Sequence, residues 1–355
     1  MTDTPAELLR RWSRAWFRAG DLDGARVEPL TNGLINRTFA VTDARGRKTV
    51  LQQVNAIFEP GIHHNIVAVT EHLAGKGLAT PRLIPTLEGQ LWAEHEGRIW
   101  RLQSAITGVS VDAVADPVQA RAAGEFVGRW HAALTDLDHE FVCRRAGVHD
   151  TPRHLSSLRE AVETRAEHPL FTKVEPLAQA LLDTAETLDA MPSARERVAH
   201  GDLKINNLMF AHGDHPTLPV ALIDLDTVAP QTLGYELGDA WRSWCNRATE
   251  DEAVARFDLS LFEASLAGWE LGFNATPTPP LEPEERLALL LGPEWISLEL
   301  ACRFAADALF ERYFGWTPKR FKSRGEHNLA RARGQWSLHQ AIVATRSRRA
   351  ELLRV

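Results

Sequence analysis

The segment His200 to Phe210 reads H-G-D-L-K-I-N-N-L-M-F, and Leu222-Ile223-Asp224-Leu225-Asp226 follows it at short range. A carboxylate, a cation two residues on, an amide five residues on and a second carboxylate closing an apolar stretch form a set suited to phosphoryl transfer. That chemistry needs little covalent help from the protein. It needs an acceptor hydroxyl held in line with a γ-phosphate, and cations that neutralise the developing charge. Asp202 has the chemistry to orient the hydroxyl and accept its proton, and Lys204 to face the transferring phosphate. Asn207 and Asp224 offer the hard oxygen donors that Mg²⁺ takes beside substrate phosphates.

Positioning such a set calls for short strands between helices. Arg197 to Phe210 and Leu218 to Val228 are apolar segments of strand length around a turn at Gly213-Asp214. Upstream, alternating or β-branched runs predict strands at Thr38 to Thr42, Thr49 to Val54, Leu91 to His95 and Arg98 to Ile106. A helix over Ile62 to Leu78 interrupts them, and Thr80-Pro81 redirects the chain after it. Leu8, Leu9, Trp12, Trp16 and Phe17 recur at helical spacing and predict an amphipathic scaffold helix ahead of the strands. After Asp112 the pattern is mostly helical, with one stripe at Ala122, Phe126, Trp130, Ala133 and Leu137 and another over Leu177 to Leu188. Helices resume near Leu237, and the T-P-T-P-P-L-E-P run at 276–283 predicts a loop. The fold class is α+β: a β-rich N-terminal part over residues 1–106 and a larger, mainly helical part over 107–355.

These motifs resemble the aminoglycoside phosphotransferase and choline kinase group of small-molecule kinases, relatives of protein kinases, over most of Val27 to Val343. Within that group the chain is most similar to bacterial N-acetylhexosamine 1-kinases. The likeness rests on T-N-G-L-I-N-R-T-F at 31–39, H-G-D-L-K-I-N-N at 200–207 and I-D-L-D-T-V at 223–228. L-G-D-A-W-R-S-W-C-N at 237–246 and E-H-N-L-A-R-A-R-G-Q-W at 326–336 strengthen it. The resemblance implies a bilobal protein-kinase-like fold that binds ATP and Mg²⁺, with Asp202 as base and Asn207 and Asp224 as metal ligands. It also implies that Asp239 braces the catalytic loop from the next helix, and that His200 supports the loop rather than acting as a base. Thr31 to Phe39 becomes the nucleotide-covering hairpin, whose Asn32-Gly33 turn lets backbone N–H groups approach phosphates. Asn36, Thr38, Gln52 and Gln103 complete the implied nucleotide contacts.

One departure stands out. Kinases of the wider superfamily place Lys or Arg on the third strand, paired with a helix glutamate, whereas T-V-L-Q-Q-V-N offers Gln52 and Gln53, an uncharged position that the resembled N-acetylhexosamine kinases share. His63, His64 and Asn65 stand where the helix begins. The expectation is that a neutral amide holds the α and β phosphates by hydrogen bonds.

Composition narrows the acceptor. The 355 residues carry 40 Lys and Arg against 47 Asp and Glu, a net −7, which argues against nucleic-acid or membrane-surface binding driven by positive charge. Cys143, Cys245 and Cys302 form neither a disulfide framework nor a C-x-x-C metal site, and fourteen histidines include no H-E-x-x-H. With no signal-like or membrane-length apolar run, a cytoplasmic location is expected, and oligomeric state is left open. From Trp316 onward there are ten Lys or Arg and two Glu, a balance that disfavours a polycationic aminoglycoside or a quaternary ammonium. Among eleven Trp, Trp12, Trp16 and Trp130 lie on apolar stripes, while Trp241, Trp244 and Trp336 are sugar-contact candidates. Arg242 and Asn246 follow Asp239 on one predicted helical face, and together with Arg331 they complete the expected acceptor contacts. The reading is a sugar 1-kinase acting on an N-acetylhexosamine or related sugar. Two others stay open: a same-fold kinase of an aminoglycoside, homoserine or choline, and a nucleotide-sensing pseudokinase.

Overall fold

In the computed structural model, residues 13–18, 24–30, 35–143 and 149–355 are described. Leu8, Leu9, Trp12, Asn32 and Gly33 lie outside them. The chain divides into two compact units: Met1–Val109 with Ala133–Arg145 and Leu208–Ala229, and Ser110–Ala132 with Ala146–Asn207 and Pro230–Val355.

The first unit is built on a six-stranded antiparallel sheet. It comprises β1 (Arg26–Leu30), β2 (Arg37–Thr42), β3 (Lys48–Gln53), β4 (Leu83–Ile84), β5 (Ala93–His95) and β6 (Arg98–Ser104), with α1 (Ile62–Gly75) between β3 and β4. The strand order is β1-β2-β3-β6-β4, and β5 also pairs with β6. Alternation along the strands sends Phe39, Val41, Leu51, Trp100 and Leu102 to one buried face, which Trp16 covers. The Trp16 indole N–H donates to the Ile84 carbonyl at 2.8 Å, so the ring is both core and tie. The first tryptophan-bearing segment is a short 3-10 turn at Ser13–Ala15 in its described part.

The second unit is mainly helical. After β7 (Val109–Ser110) come α2 (Pro117–Ala133), α3 (Thr151–Thr164), α4 (Phe171–Thr187) and β8 (Glu196–Ala199), which leads into the His200 to Phe210 segment. A 3-10 turn at Ile205–Asn207 ends that segment, and β9 (Leu208–Phe210) and β10 (Pro219–Leu222) form an antiparallel hairpin belonging to the first unit. A further 3-10 turn, Leu225–Thr227, precedes β11 (Ala229–Thr232). Then follow α5 (Leu233–Trp244), α6 (Leu259–Phe273), α7 (Pro283–Phe310), α8 (Arg324–Val343) and α9 (Arg346–Leu353). The 276–283 run is irregular up to Glu282, whose carboxylate starts α7 in a capping box with Glu285 and Pro283 at the first turn. Helix α7 is the hub of this unit, burying Leu291, Leu298, Cys302, Phe304 and Leu309 against Leu158 and Ala161 of α3 and Val174 and Leu181 of α4.

Candidate active site

Gly201 sits at φ 81°, a left-handed turn that a side chain would resist, and it swings the chain from β8 into the loop bearing Asp202. Leu203 and Ile205 are buried beneath that loop, and the Trp244 indole N–H donates to the Leu203 carbonyl at 2.9 Å. Lys204 points outward, its ammonium 2.8 Å from Asp202 Oδ1. Burial lowers the Lys204 pKa, but the Asp202 and Asp239 carboxylates outweigh it and hold it above the ordinary lysine value. Asn207 Nδ2 donates to the Asp202 carbonyl at 2.8 Å and to Asp202 Oδ2 at 3.2 Å. With the amide nitrogen committed to Asp202, the amide oxygen is the atom left to serve a cation. Asn207 and the Asp224 carboxylate are hard oxygen donors, so their chemistry fits Mg²⁺.

The backbone of this loop is held by Glu236, while Asp239 acts on it through the Lys204 charge. From the first turn of α5, the fully buried Glu236 carboxylate accepts from the His200 N–H at 2.7 Å and the Gly201 N–H at 2.9 Å. His131 Nε2 lies 3.2 Å from Glu236 Oε1, and His131 Nδ1 accepts from the Trp269 indole N–H at 3.0 Å. An Nδ1 that accepts places the ring proton on Nε2, aimed at the carboxylate. Burial raises the Glu236 pKa, but His131, His200 and the Gly201 N–H together pull it below the ordinary value. His200 adds a bond within the loop, its Nδ1 accepting from the Asp202 N–H at 3.3 Å.

Asp239, one turn further along α5, instead pairs with Arg242, whose Nε and Nη2 donate to Asp239 Oδ1 at 3.1 and 2.8 Å. Burial raises the Asp239 pKa, and Arg242 with Lys204 reverses it to a lowered one. Asp202, Lys204, Asp239 and Arg242 are thus two carboxylates matched by two cations.

Other acceptor expectations change. Trp244 is 2% exposed and its indole N–H is already used, so it has no open face for a sugar ring. Trp241 is likewise interior, edge-on to Phe262. Helix α5 ends at Trp244, so Asn246 leaves the shared face; its Oδ1 accepts from the Ala248 N–H at 3.1 Å. Arg331 anchors the loop between α7 and α8, donating to the Gly315 carbonyl at 2.8 Å with Glu250 3.3 Å away. The Trp336 ring stacks on His339.

In the sheet unit, Thr38, Gln52 and Gln103 form one hydrogen-bonded row. Gln52 Oε1 accepts from Arg101 Nε at 2.9 Å and Gln103 Nε2 at 3.1 Å, and Gln52 Nε2 donates to Thr38 Oγ1 at 3.1 Å. Both lone pairs of that carbonyl are occupied and the side chain is buried, so Gln52 organises the sheet instead of reaching for phosphates. Asn36 Nδ2 donates to Asp226 Oδ2 at 2.6 Å, and Arg101 ion-pairs with the same carboxylate. Neither Arg101 nor Asp226 was singled out by motif spacing. A lone arginine at an inward strand position facing a polar cross-strand partner is the signal that points to Arg101.

Residues 26–271 match the model of the phosphotransferase enzyme family, APH. The chain belongs to this family, and it is a kinase that transfers a phosphoryl group to an alcohol acceptor. Among curated relatives, a homoserine kinase of Methylobacterium nodulans is 28% identical over 300 residues, 82% of each chain. One of Methylobacillus glycogenes is 24% identical over 265 residues, 73% of this chain and 76% of the relative. Among solved structures, an aminoglycoside phosphotransferase from Alicyclobacillus acidocaldarius superposes with a TM-score of 0.62 at 16% identity, covering 99% of this chain and 97% of that one. Amicoumacin kinase hAmiN, solved with AMP-PNP, Ca²⁺ and Ami, gives 0.60 at 12% identity over 95% of this chain and 94% of that one. These likenesses show the α+β fold of this kinase group, with a small antiparallel sheet and a larger helical part.

Proposed function

We propose that the chain is an ATP- and Mg²⁺-dependent kinase of a neutral sugar, transferring the γ-phosphoryl group to the anomeric hydroxyl of an N-acetylhexosamine or a close relative. Asp202 takes the hydroxyl proton, Lys204 faces the transferring phosphate, and Asn207 and Asp224 are the metal ligands in this reading. The metal neutralises charge on the phosphates when bound; orienting the hydroxyl and holding its proton fall to Asp202. The observation carrying the choice of acceptor is charge matching beside the base. Asp202 lies 2.8 Å from Lys204 and Asp239 lies 2.8 Å from Arg242, so each of these two carboxylates is paired with a cation of the chain itself, which disfavours a polycationic acceptor. The segments at 237–246 and 326–336 add the likeness to N-acetylhexosamine 1-kinases.

A second reading has its own support. The Asp239–Arg242 pair matches the two charges of an amino acid, and curated homoserine kinases are similar over most of this chain. ADP release with Mg²⁺-ATP against free sugars, N-acetylhexosamines, homoserine, choline and aminoglycosides separates the two, with phosphorus NMR locating the product phosphate. An N-acetylhexosamine 1-phosphate is the expected product; O-phosphohomoserine would transfer the assignment to the second reading. Asp202→Asn should lower kcat by about two orders of magnitude or more while leaving nucleotide binding intact. Wild-type turnover in that variant would remove Asp202 from the base role.

A further inference from the structure

We propose that Arg101 and Asp226 form the ion pair this chain uses in place of a third-strand cation and a helix glutamate, and that the pair positions Asp224. The proposal rests on the reading above that Asp224 is a metal ligand. Arg101 stands opposite Gln52 in the β3–β6 register, so the cation missing from the Gln52 and Gln53 end of β3 is present one strand away. It is 1% exposed, and a guanidinium so enclosed requires charged or polar partners. Gln52 accepts from its Nε, and Asp226 pairs with its Nη1. The Asp226 carboxylate is itself buried and takes a second donor, Asn36 Nδ2, while Asn36 Oδ1 accepts from the Asn55 N–H at 2.9 Å. One carboxylate thus ties the entry to β2, the middle of β6 and the 3-10 turn Leu225–Thr227.

That turn begins at Asp224, whose backbone is left-handed at φ 64°, ψ 56°. A non-glycine residue stays in that region only where its surroundings impose it. Asp226, clamped two residues on, imposes it, and the clamp fixes the direction in which the Asp224 carboxylate leaves the chain. Helix α1, which packs against this turn, carries one carboxylate, Glu71, and that one pairs with Arg82. It brings His63 instead, fully buried, its Nδ1 bonded to the Pro60 carbonyl at 2.6 Å. Burial, and then the nearby Arg101 charge, lower the pKa of this ring to about 4, so it is neutral and leaves the pairing with Arg101 to Asp226. Because the Arg101 side chain is 2% exposed, it acts through Asp224 and not on a phosphate, which makes it a positioning residue. A buried ion pair is weak as a source of stability but strong as a device that selects one geometry.

The test uses the full chain, with Mn²⁺ as probe for the metal in the presence of ADP. Free Mn²⁺ is followed by electron paramagnetic resonance, and thermal unfolding is followed without nucleotide. Arg101→Met and Asp226→Asn should each weaken Mn²⁺ binding to the ADP complex roughly ten- to a hundredfold, as loss of a partner behind a metal ligand does. The double variant should be no weaker than the weaker single one, and Arg101→Lys should restore part of the loss. Metal-free ADP binding should be unchanged. Asn36→Ala removes one bond to Asp226 without stranding a charge, so it should weaken Mn²⁺ binding in a folded protein even where Arg101→Met does not fold. Wild-type Mn²⁺ affinity in Arg101→Met or, if that variant does not fold, in Asn36→Ala overturns the inference, as does additive loss in the double variant. A wild-type protein that binds no Mn²⁺-ADP would sink the metal-ligand reading of Asp224 itself, a result distinct from wild-type binding that the substitutions leave untouched.

Discussion

Glu236 holds the loop bearing Asp202 by its backbone, a task that suits a buried carboxylate because it presents two acceptor oxygens to two neighbouring N–H groups. Its two oxygens take the N–H groups of His200 and Gly201, with His131 completing the shell. Replacement by Gln keeps the volume but turns one acceptor into a donor facing another donor. A charge-assisted buried bond is worth about 1.5–3 kcal/mol, so Glu236→Gln should lower the melting temperature. It should also displace Asp202, and an ångström of misplacement can cost about a hundredfold in rate. The expected kinetic signature is a fall in kcat with the KM for ATP little changed; equal loss of stability without a fall in kcat would reduce Glu236 to a packing role. That Asp202, Lys204 and Asn207 lie side by side was legible in the sequence because they are only a few residues apart. Glu236 was not, because residues three apart share a helix face and spacing cannot tell which of Glu236 and Asp239 meets the loop. The cross-strand meeting of Gln52 and Arg101 was hidden for the same kind of reason: strand register is a tertiary fact.

Helices α2 and α6 cross with their backbones in contact because each carries glycines four residues apart, Gly124 and Gly128 on one and Gly268 and Gly272 on the other. A Cβ built at Gly124 would run into the Ser265 carbonyl, and one at Gly268 into the Arg121 carbonyl. These are backbone atoms, which cannot rotate aside as a side chain would. The crossing sets the place of His131 and Trp269, the two outer members of the chain of bonds that ends on Glu236. Gly268→Ala should therefore cost at least the 1–3 kcal/mol, roughly, of ordinary overpacking, read as a lowered urea midpoint at unchanged slope. Gly213→Ala, where nothing lies within 4 Å of the added methyl, is the matched control and should fall within about 0.5 kcal/mol of the parent. A Gly268→Ala protein as stable as that control would show that the helices separate without penalty. Most elements were legible from periodicity. Strands β2, β3 and β6 and helix α1 lie within a few residues of their expected places, since alternation and the 3.6-residue period both report burial. The end of α5 at Trp244 was not, because Cys245 and Asn246 carry no strong stop signal and the bridge from Asn246 to Phe257 is a long-range event.

For the whole chain, the net charge of −7 conceals internal balancing that governs how the fold responds to acid. The basic C-terminal stretch is partly spent on one fully buried carboxylate: Glu294 pairs with both Arg346 and Arg349, and Arg346 also reaches Asp189 at 2.8 Å. The arginines are thus structural clamps for α9, which weakens their use as a clue to the acceptor. Among the described residues no helix is long and apolar enough to cross a membrane. Burial also keeps His63, His327 and His339 below the ordinary histidine pKa, and neighbouring arginines add to the effect. Above pH 6.5 or so these rings are neutral folded or unfolded and stability does not depend on them. As the pH falls below that, the unfolded chain takes up protons that the folded one refuses, so stability drops. For His63 the loss continues to about pH 4, where the folded ring is protonated as well. Within that window one such ring contributes a slope on the order of 1 kcal/mol per pH unit. Below it, Glu236 and Asp239, whose lowered values mark carboxylates stabilised by folding, lose that stabilisation in turn as they are protonated. Urea unfolding of the parent should show falling stability from near neutral pH toward pH 5 or so, and His63→Gln should flatten the curve by about one proton's worth. Parallel curves for parent and variant would mean that the His63 ring is charged inside the sheet unit, and that Arg101 has a cation as its neighbour.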